Sequence, residues 1–343
     1  MKKIVIHKAG HYDQLKLETA SDPTPGPGEI LIDVKAMGVN FADCLVRMGV
    51  YQSAKEFVGW PITPGFEVAG IVKELGEGVS KYHIGQRVVA ITLFGGYTSH
   101  LVIKEDYVFP LSDNISFEEA ASVPAVCLTA YYALFELAHP HKNNTILIHS
   151  SAGGVGSALV QMAKIAGCQV VGVVGSSHKV DYVKSLGADH VIDQSTQDLW
   201  KEAQKLAPKG YDVILDANGG LSLRHDYIHL SFGGKLVVYG FHTMFTKGKG
   251  SPNWFKIVWD YLRTPRFNPF YMTNENRSVL AFNLSYMVQK MEILRPAVDQ
   301  IFQWINDGKL RMPKITTYPL EKAAEAQRDL ETGQTIGKLI LKP

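Results

Sequence analysis

Apolar residues fall in short alternating or continuous blocks through the first third of the chain. "EILIDVKAMGV" (29–39), "FEVAGIVKEL" (66–75), "QRVVAIT" (86–92) and "YTSHLVI" (97–103) predict β-strands. Gly- and Pro-bearing stretches, "PTPGPGE" and "GEGVSKYHIGQ", separate them. Near residue 115 the pattern changes. Ser116 and Glu119 in "SFEE" form a capping box that opens a helical stretch, and "AVCLTAYYALFELA" then predicts a buried helix. From 145 onward, apolar runs alternate with helical patterns: "TILIH", "CQVVGVV", "HVI", "YDVILD", "KLVVYG" and "VLAFNL". Strands joined by helical crossovers predict an α/β fold with a doubly wound parallel sheet. A helix near 290–306, the stretch "EKAAEAQRDLETG" and a last strand, "GKLILKP", are predicted to rejoin the first domain. No internal repeat or low-complexity segment interrupts this pattern.

The length, 343 residues, favours two domains over one core. The predicted division is 1–119, 120–288 and 289–343, the last returning to the first. A net charge of +2 gives no reason to expect a nucleic-acid partner. The N-terminal "MKKIVIHKAGHYDQ" is too short and too polar for a secretory signal. No stretch of about 18 apolar residues is evident, so no membrane crossing is expected. Three scattered cysteines, Cys44, Cys127 and Cys168, argue against a disulfide framework and fit a cytoplasmic protein.

The candidate chemistry begins at "ILIHSSAGGVGSALVQMAKIAG" (146–167), a strand, a glycine-rich bend and a helix. In the dinucleotide fingerprint G-x-G-x-x-G the first glycine makes the turn, the second admits pyrophosphate, and the third lets helix and strand pack. Ser151, Gly153 and Gly156 occupy those places, with Gly154 and Val155 between them. The first glycine is thus a serine, which raises the question of what makes the turn. The helix N-terminus after the bend offers free N–H groups to phosphates. An NAD site carries an acidic residue at the end of the second strand, about 20 residues on. Here that strand ends in "GSSHK", with Ser176, Ser177 and Lys179 and no carboxylate, so NADPH is the expected cofactor.

The whole chain resembles the medium-chain dehydrogenase/reductases, which join a GroES-like catalytic domain to a Rossmann domain. Their zinc alcohol dehydrogenases hold metal with a Cys, the His of a "GHE" motif and a second Cys. The corresponding places here are Asn40 in "GVNFAD", Phe66 in "GFE" and Ala125, so no metal site is expected. "GVNFAD", "MGVY", "TPGFEVAGIV", "LTAYYAL" and "AGGVG" resemble the zinc-free quinone oxidoreductase branch, typified by zeta-crystallin. "DANGG", "LVVYGF" and "AFNLSYM" are similar to the synaptic vesicle membrane protein (vesicle amine transport protein) group within it. The resemblance implies that Asn40 and Tyr51 line the pocket beside the nicotinamide and that Thr129 holds the nicotinamide end. It places Asn218, Tyr239, Gly240, Phe282 and Asn283 along the cofactor. Gln194 stands where quinone reductases have a Tyr on the 2′-phosphate.

Loss of zinc constrains the substrate. Without a metal to polarise a carbonyl, conjugated acceptors such as quinones and α,β-unsaturated carbonyls are the better hydride acceptors. Asn40 and Tyr51 are neutral donors suited to a developing oxyanion. The expected function is zinc-independent, NADPH-dependent hydride transfer; the alternative is an NADPH-gated lipid- or protein-binding protein with little turnover. Other features read as structural. Asp43 and Glu67 anchor a helix start and a strand, His149 is a satisfied core histidine at a strand end, and His139 and His141 lie in a loop. No G-x-S-x-G supports a serine hydrolase. The aromatic-basic segment 246–272 reads as a packed helix or dimer surface, or as a weak membrane-surface contact. Pairing at the sixth strand's edge predicts a homodimer.

Overall fold

The computed structural model describes all 343 residues. The strands in chain order are β1 (Lys2–Val5), β2 (Lys16–Thr19), β3 (Glu29–Val39), β4 (Glu67–Leu75), β5 (Arg87–Ile91), β6 (His100–Lys104) and β7 (Val108–Pro110). Next come β8 (Thr145–Ile148), β9 (Gln169–Val174), β10 (His190–Asp193), β11 (Tyr211–Asp216), β12 (Leu230–Val238) and β13 (Ser278–Ala281), then β14 (Ile315–Pro319) and β15 (Lys338–Lys342).

β8 to β13 form one parallel sheet in the order β10-β9-β8-β11-β12-β13. This is the order of a dinucleotide-binding fold, reversing direction between the first and fourth strands of the unit. Its central strands are buried on both faces, which explains their continuous Val, Ile and Leu runs. β3 anchors the other large sheet. Its 11 residues pair with β4 along one edge and with β6 and then β15 along the other. The predicted capping box is formed: the Ser116 hydroxyl accepts from the Glu119 N–H at 3.2 Å, and the Glu119 carboxylate accepts from the Ser116 N–H at 2.9 Å.

Two elements sit differently from the sequence expectation. The helix Met291–Asn306 packs with the cofactor domain, where Leu294, Val298 and Ile301 join the core of the parallel sheet. The return to the first sheet starts only at β14. Second, the helical turns from Phe117 to Ala138 are long and apolar enough to cross a bilayer by composition, although no apolar stretch of that length was expected. They are instead largely packed in the core, against the helix Gly154–Ile165 and Trp304.

Candidate active site

The glycine bend follows β8. The residue with left-handed backbone is Ser150 (φ 51°), so the turn is made one residue before the fingerprint's first position. Ser151 needs no glycine there. It is fully buried, and its hydroxyl donates to the Val173 carbonyl of β9 at 2.9 Å, pinning the bend to the neighbouring strand. Gly156 fills its expected role: a Cβ there would lie 2.3 Å from the Ser150 carbonyl oxygen. Gly153 caps the helix Gly154–Ile165, and a Cβ there would meet only the Ser150 oxygen, at 3.4 Å. The backbone is therefore open to a phosphate at the point where the helix N–H groups converge. Val155 follows in the first turn.

The catalytic domain reaches this bend through its last strand. Gly337 donates its N–H to Ala152 at 3.0 Å, and the next residue, Lys338, points into a buried hub. Lys338 (3% exposed) pairs with Glu67 (0% exposed) at 2.6 Å. The other Glu67 oxygen accepts from the Ala125 N–H at 2.6 Å, at the start of the helix Pro124–Tyr131. Asn40 lies on the hub. Its Nδ2 donates to Glu67 at 3.0 Å and its Oδ1 accepts from Lys338, which fixes the amide's orientation. An amide nitrogen carries two hydrogens, and Glu67 takes one; the second is left for a ligand. Asp43 is the anchor expected of it: it accepts from the N–H groups of Asn40 and Gly65 and from the Tyr97 hydroxyl. Burial pushes its carboxyl up to about 7 against those donors.

Asn40, Phe66 and Ala125, the residues that the resemblance sets at the metal-ligand places, offer an amide, a phenyl ring and a methyl group, and the Lys338 ammonium lies on the Asn40 amide. Cys127 is buried, and burial pushes its thiol up to about 12, so it offers no thiolate. Phe66 belongs to an apolar cluster with Ile6, Val46, Ile62 and Phe94.

Tyr51 packs edge-on to Phe66 and Phe94. Its hydroxyl donates to Asn283 Oδ1 at 3.0 Å, joining the two domains. Asn283 also caps the short helix Leu284–Met287, and the Ser285 hydroxyl continues the chain to Ser53 at 2.9 Å. The adjacent Phe282 packs on Tyr132 and bonds to Val238 at the end of β12. Tyr239 follows, its hydroxyl buried without a partner, which burial holds well above the usual tyrosine range. Gly240 packs under Ala217, next to Asn218, whose carbonyl accepts from Thr243. Thr129 lies one turn beyond Ala125 and donates back to its carbonyl at 2.7 Å.

At the far end of the bend, beyond β9, the picture is richer than the sequence indicated. The Ser177 hydroxyl donates to Asp193 at 2.5 Å, so a carboxylate does approach, from the neighbouring strand β10 rather than from β9. Asp193 is also held by Ser195, and these hydrogen bonds, Ser177 foremost, keep it below the usual carboxylate range. Ser176 precedes this turn, and Gln194 lies against Gly175. Lys179 is not a solvated residue: it is 8% exposed and donates to the Gly333 carbonyl at 2.5 Å.

Sequence reasoning missed the Lys338 end of the hub, although a lysine inside "GKLILKP" was a signal. It also read His149 as satisfied. His149 bonds to Asp226 at 2.7 Å and lies 3.9 Å from Asp216, all three buried. One His149 nitrogen and one Asp226 oxygen have no partner. His139 and His141 are exposed and gather no further ligand.

A parallel sheet with an open glycine bend, a lone buried phenol and unpaired lysines fits a pyridine dinucleotide. The comparisons agree. Residues 26–113 match the alcohol dehydrogenase GroES-like domain and residues 154–294 the zinc-binding dehydrogenase family. The chain belongs to the medium-chain dehydrogenase/reductase superfamily of oxidoreductases. The synaptic vesicle membrane protein VAT-1 homolog of Danio rerio is 32% identical over 341 residues, covering 99% of this chain and 69% of that protein. The human homolog is 31% identical over 350 residues, covering 100% and 86%. Among solved structures, Pseudomonas syringae quinone oxidoreductase superposes with a TM-score of 0.87 at 29% identity, covering 100% and 99%. Escherichia coli quinone oxidoreductase complexed with NADPH gives 0.86 at 28%, covering 100% of both chains. These likenesses place the chain close to the quinone oxidoreductase structures and the VAT-1 homologues.

Proposed function

We propose that this protein is an NADPH-dependent oxidoreductase that reduces a quinone or an α,β-unsaturated carbonyl without zinc. The observation that carries the reading is Asn40: clamped by Glu67 and Lys338, it keeps one N–H free at the junction of the domains. NADPH would supply a hydride. The glycine bend would hold its pyrophosphate, Thr129 and Tyr239 its nicotinamide end, and Ser176 and Lys179 its 2′-phosphate. Asn40 donates to the oxyanion that develops on a conjugated acceptor. The Tyr51 hydroxyl, now on Asn283, has only to rotate to give a second donor. Lys338 keeps an ammonium behind Asn40, on the amide oxygen.

The test follows NADPH absorbance at 340 nm with a panel of quinones and enones. Tyr51→Phe is expected to lower kcat/KM about tenfold and Asn40→Ala about 100-fold, the scale of a lost oxyanion donor. Activity should survive prolonged chelation. Binding of NADPH with no turnover on any acceptor would favour the binding-protein alternative.

A specific observation supports that second reading. The helices Trp254–Arg263 and Pro269–Glu275 have no buried residue, and Phe255 is 91% exposed. Lys256 is paired with Asp260, while Arg263 lies over Trp259 and Arg266 is exposed. Basic groups beside large apolar ones suit an anionic membrane surface. The face stands next to β13, whose outer edge is unpaired and is the proposed homodimer seam. Sedimentation with anionic vesicles tests the surface: Trp254→Ser with Trp259→Ser should abolish binding, and light scattering should return twice the single-chain mass.

A further inference from the structure

The segment from 246 was read as one aromatic-basic surface, but its first lysine turns away from it. Lys247 lies against Gly333: a Cβ built on that glycine would be 3.8 Å from Lys247 Cε and 3.9 Å from Nζ. The Lys179 ammonium donates to the carbonyl of the same residue. Two lysines from different loops therefore bracket one backbone position that has no side chain. Neither takes part in any of the chain's ion pairs.

Unpaired like charges repel, and a nearly buried ammonium has lost water as well. Burial and then Lys247 itself hold Lys179 below the usual lysine range. The nearby acids offer no relief. Glu331 is committed to Arg47, to the Tyr12 hydroxyl at 2.6 Å and to the Gly250 N–H. Asp193 is committed to Ser177 and Ser195. The arrangement lacks an anion, and a phosphate monoester carrying close to two negative charges matches two ammonium groups.

We infer that Lys247 is the second cation for the cofactor's 2′-phosphate, and that the buried Arg47–Glu331 pair positions the loop that carries it. The inference rests on the NADPH reading. Arg47 is fully buried and stacks over Tyr12 at 4.3 Å. It donates to the Gly250 carbonyl at 2.6 Å, while the Gly250 N–H donates to Glu331 at 3.2 Å. Gly250 has φ +65°, and a Cβ there would lie 2.5 Å from the Tyr12 ring. The loop is thus stapled to the catalytic domain three residues after Lys247. Specificity for the 2′-phosphate is shared between domains: Lys179 comes from the end of β9, and Lys247 is delivered by a clamp on the other side of the cleft.

The experiment measures equilibrium dissociation constants for NADPH, NADH, 2′,5′-ADP and AMP by titration, independent of turnover. Lys247→Gln is expected to weaken NADPH and 2′,5′-ADP about tenfold, the scale of one charge-assisted contact to phosphate, and to leave NADH and AMP within twofold. Lys247→Arg should retain affinity, and Lys249→Gln, an exposed neighbour, should change nothing. Gly250→Ala should lower the NADPH-to-NADH affinity ratio without weakening NADH. A wild type that prefers NADPH but is indifferent to Lys247→Gln, or a variant that loses NADH equally, overturns the inference alone. A wild type that shows no preference for NADPH or 2′,5′-ADP overturns the cofactor reading, and the inference with it.

Discussion

Two of the buried ionic clusters of this molecule, those of Glu67 and of His149, are built on opposite principles. Glu67 meets Lys338, one negative charge against one positive, and the remaining valences go to Asn40 and the Ala125 N–H. His149 meets two carboxylates, Asp216 and Asp226, and leaves an oxygen and a nitrogen without partners. A balanced, fully bonded cluster can act as a rigid mount for the Asn40 amide. An unbalanced one must settle its charge by holding protons. Burial first, and then the charge of Asp226, push the Asp216 carboxyl up to about 7. Burial opposes the charged form of His149, but the two carboxylates outweigh it and shift the imidazole upward.

Breaking the balanced cluster should have the largest effect. Lys338→Met leaves the buried Glu67 charge without its cation, held only by the Asn40 amide and the Ala125 N–H, and a loss of about 3–5 kcal/mol in urea unfolding is expected. Glu67→Gln in the same chain should restore much of it, because the stranded charge is gone. A double variant as unstable as the single one would show that shape, not charge, decides.

The unbalanced cluster predicts a pH effect. Asp216 and His149 both have folded pKa values above their unfolded ones. Both therefore hold more protons when folded, so their contribution is present at low pH; that of Asp216 is lost as pH rises from about 4 through about 7, and that of His149 as pH rises past its ordinary value of 6.5. Asp43 adds the same sign, so the informative quantity is the change in slope. Asp226→Asn removes the repulsion on Asp216 and the attraction on His149. It should flatten stability against pH, between pH 5.5 and 7.5, by up to about 1 kcal/mol per unit. An unchanged slope would mean that the cluster does not titrate. The smallest effect sets the scale for the rest: Glu202→Gln breaks a surface pair with Lys205, and less than about 0.5 kcal/mol should be lost.

The same contrast explains what the sequence could reveal. Local features were legible because their partners are close in the chain. The Ser116–Glu119 box and the strand–bend–helix at 145–165 are of this kind. Strand identity was legible for β3, β4 and the parallel sheet because burial on both faces leaves apolar runs. What was hidden is pairing at a distance. Asn40 and Lys338 are 298 residues apart, and Ser177 finds Asp193 at the end of β10 rather than at the end of β9, where an acidic residue is sought. The membership of 291–306 was hidden for a related reason: an amphipathic helix shows that it has a buried face, not which core receives it. Lys247 was misread because composition grouped it with residues that face another way.

The last strand, β15, has a consequence for biosynthesis. The sheet of the first domain takes β14 and β15 from residues 315–342, and the clamp on Asn40 is complete only when Lys338 joins Glu67. On the ribosome, the parallel sheet at 145–281 can close while its N-terminal neighbour still waits for these strands. The domain translated first is thus finished after its neighbour, and the Asn40 amide is set only once β15 has emerged.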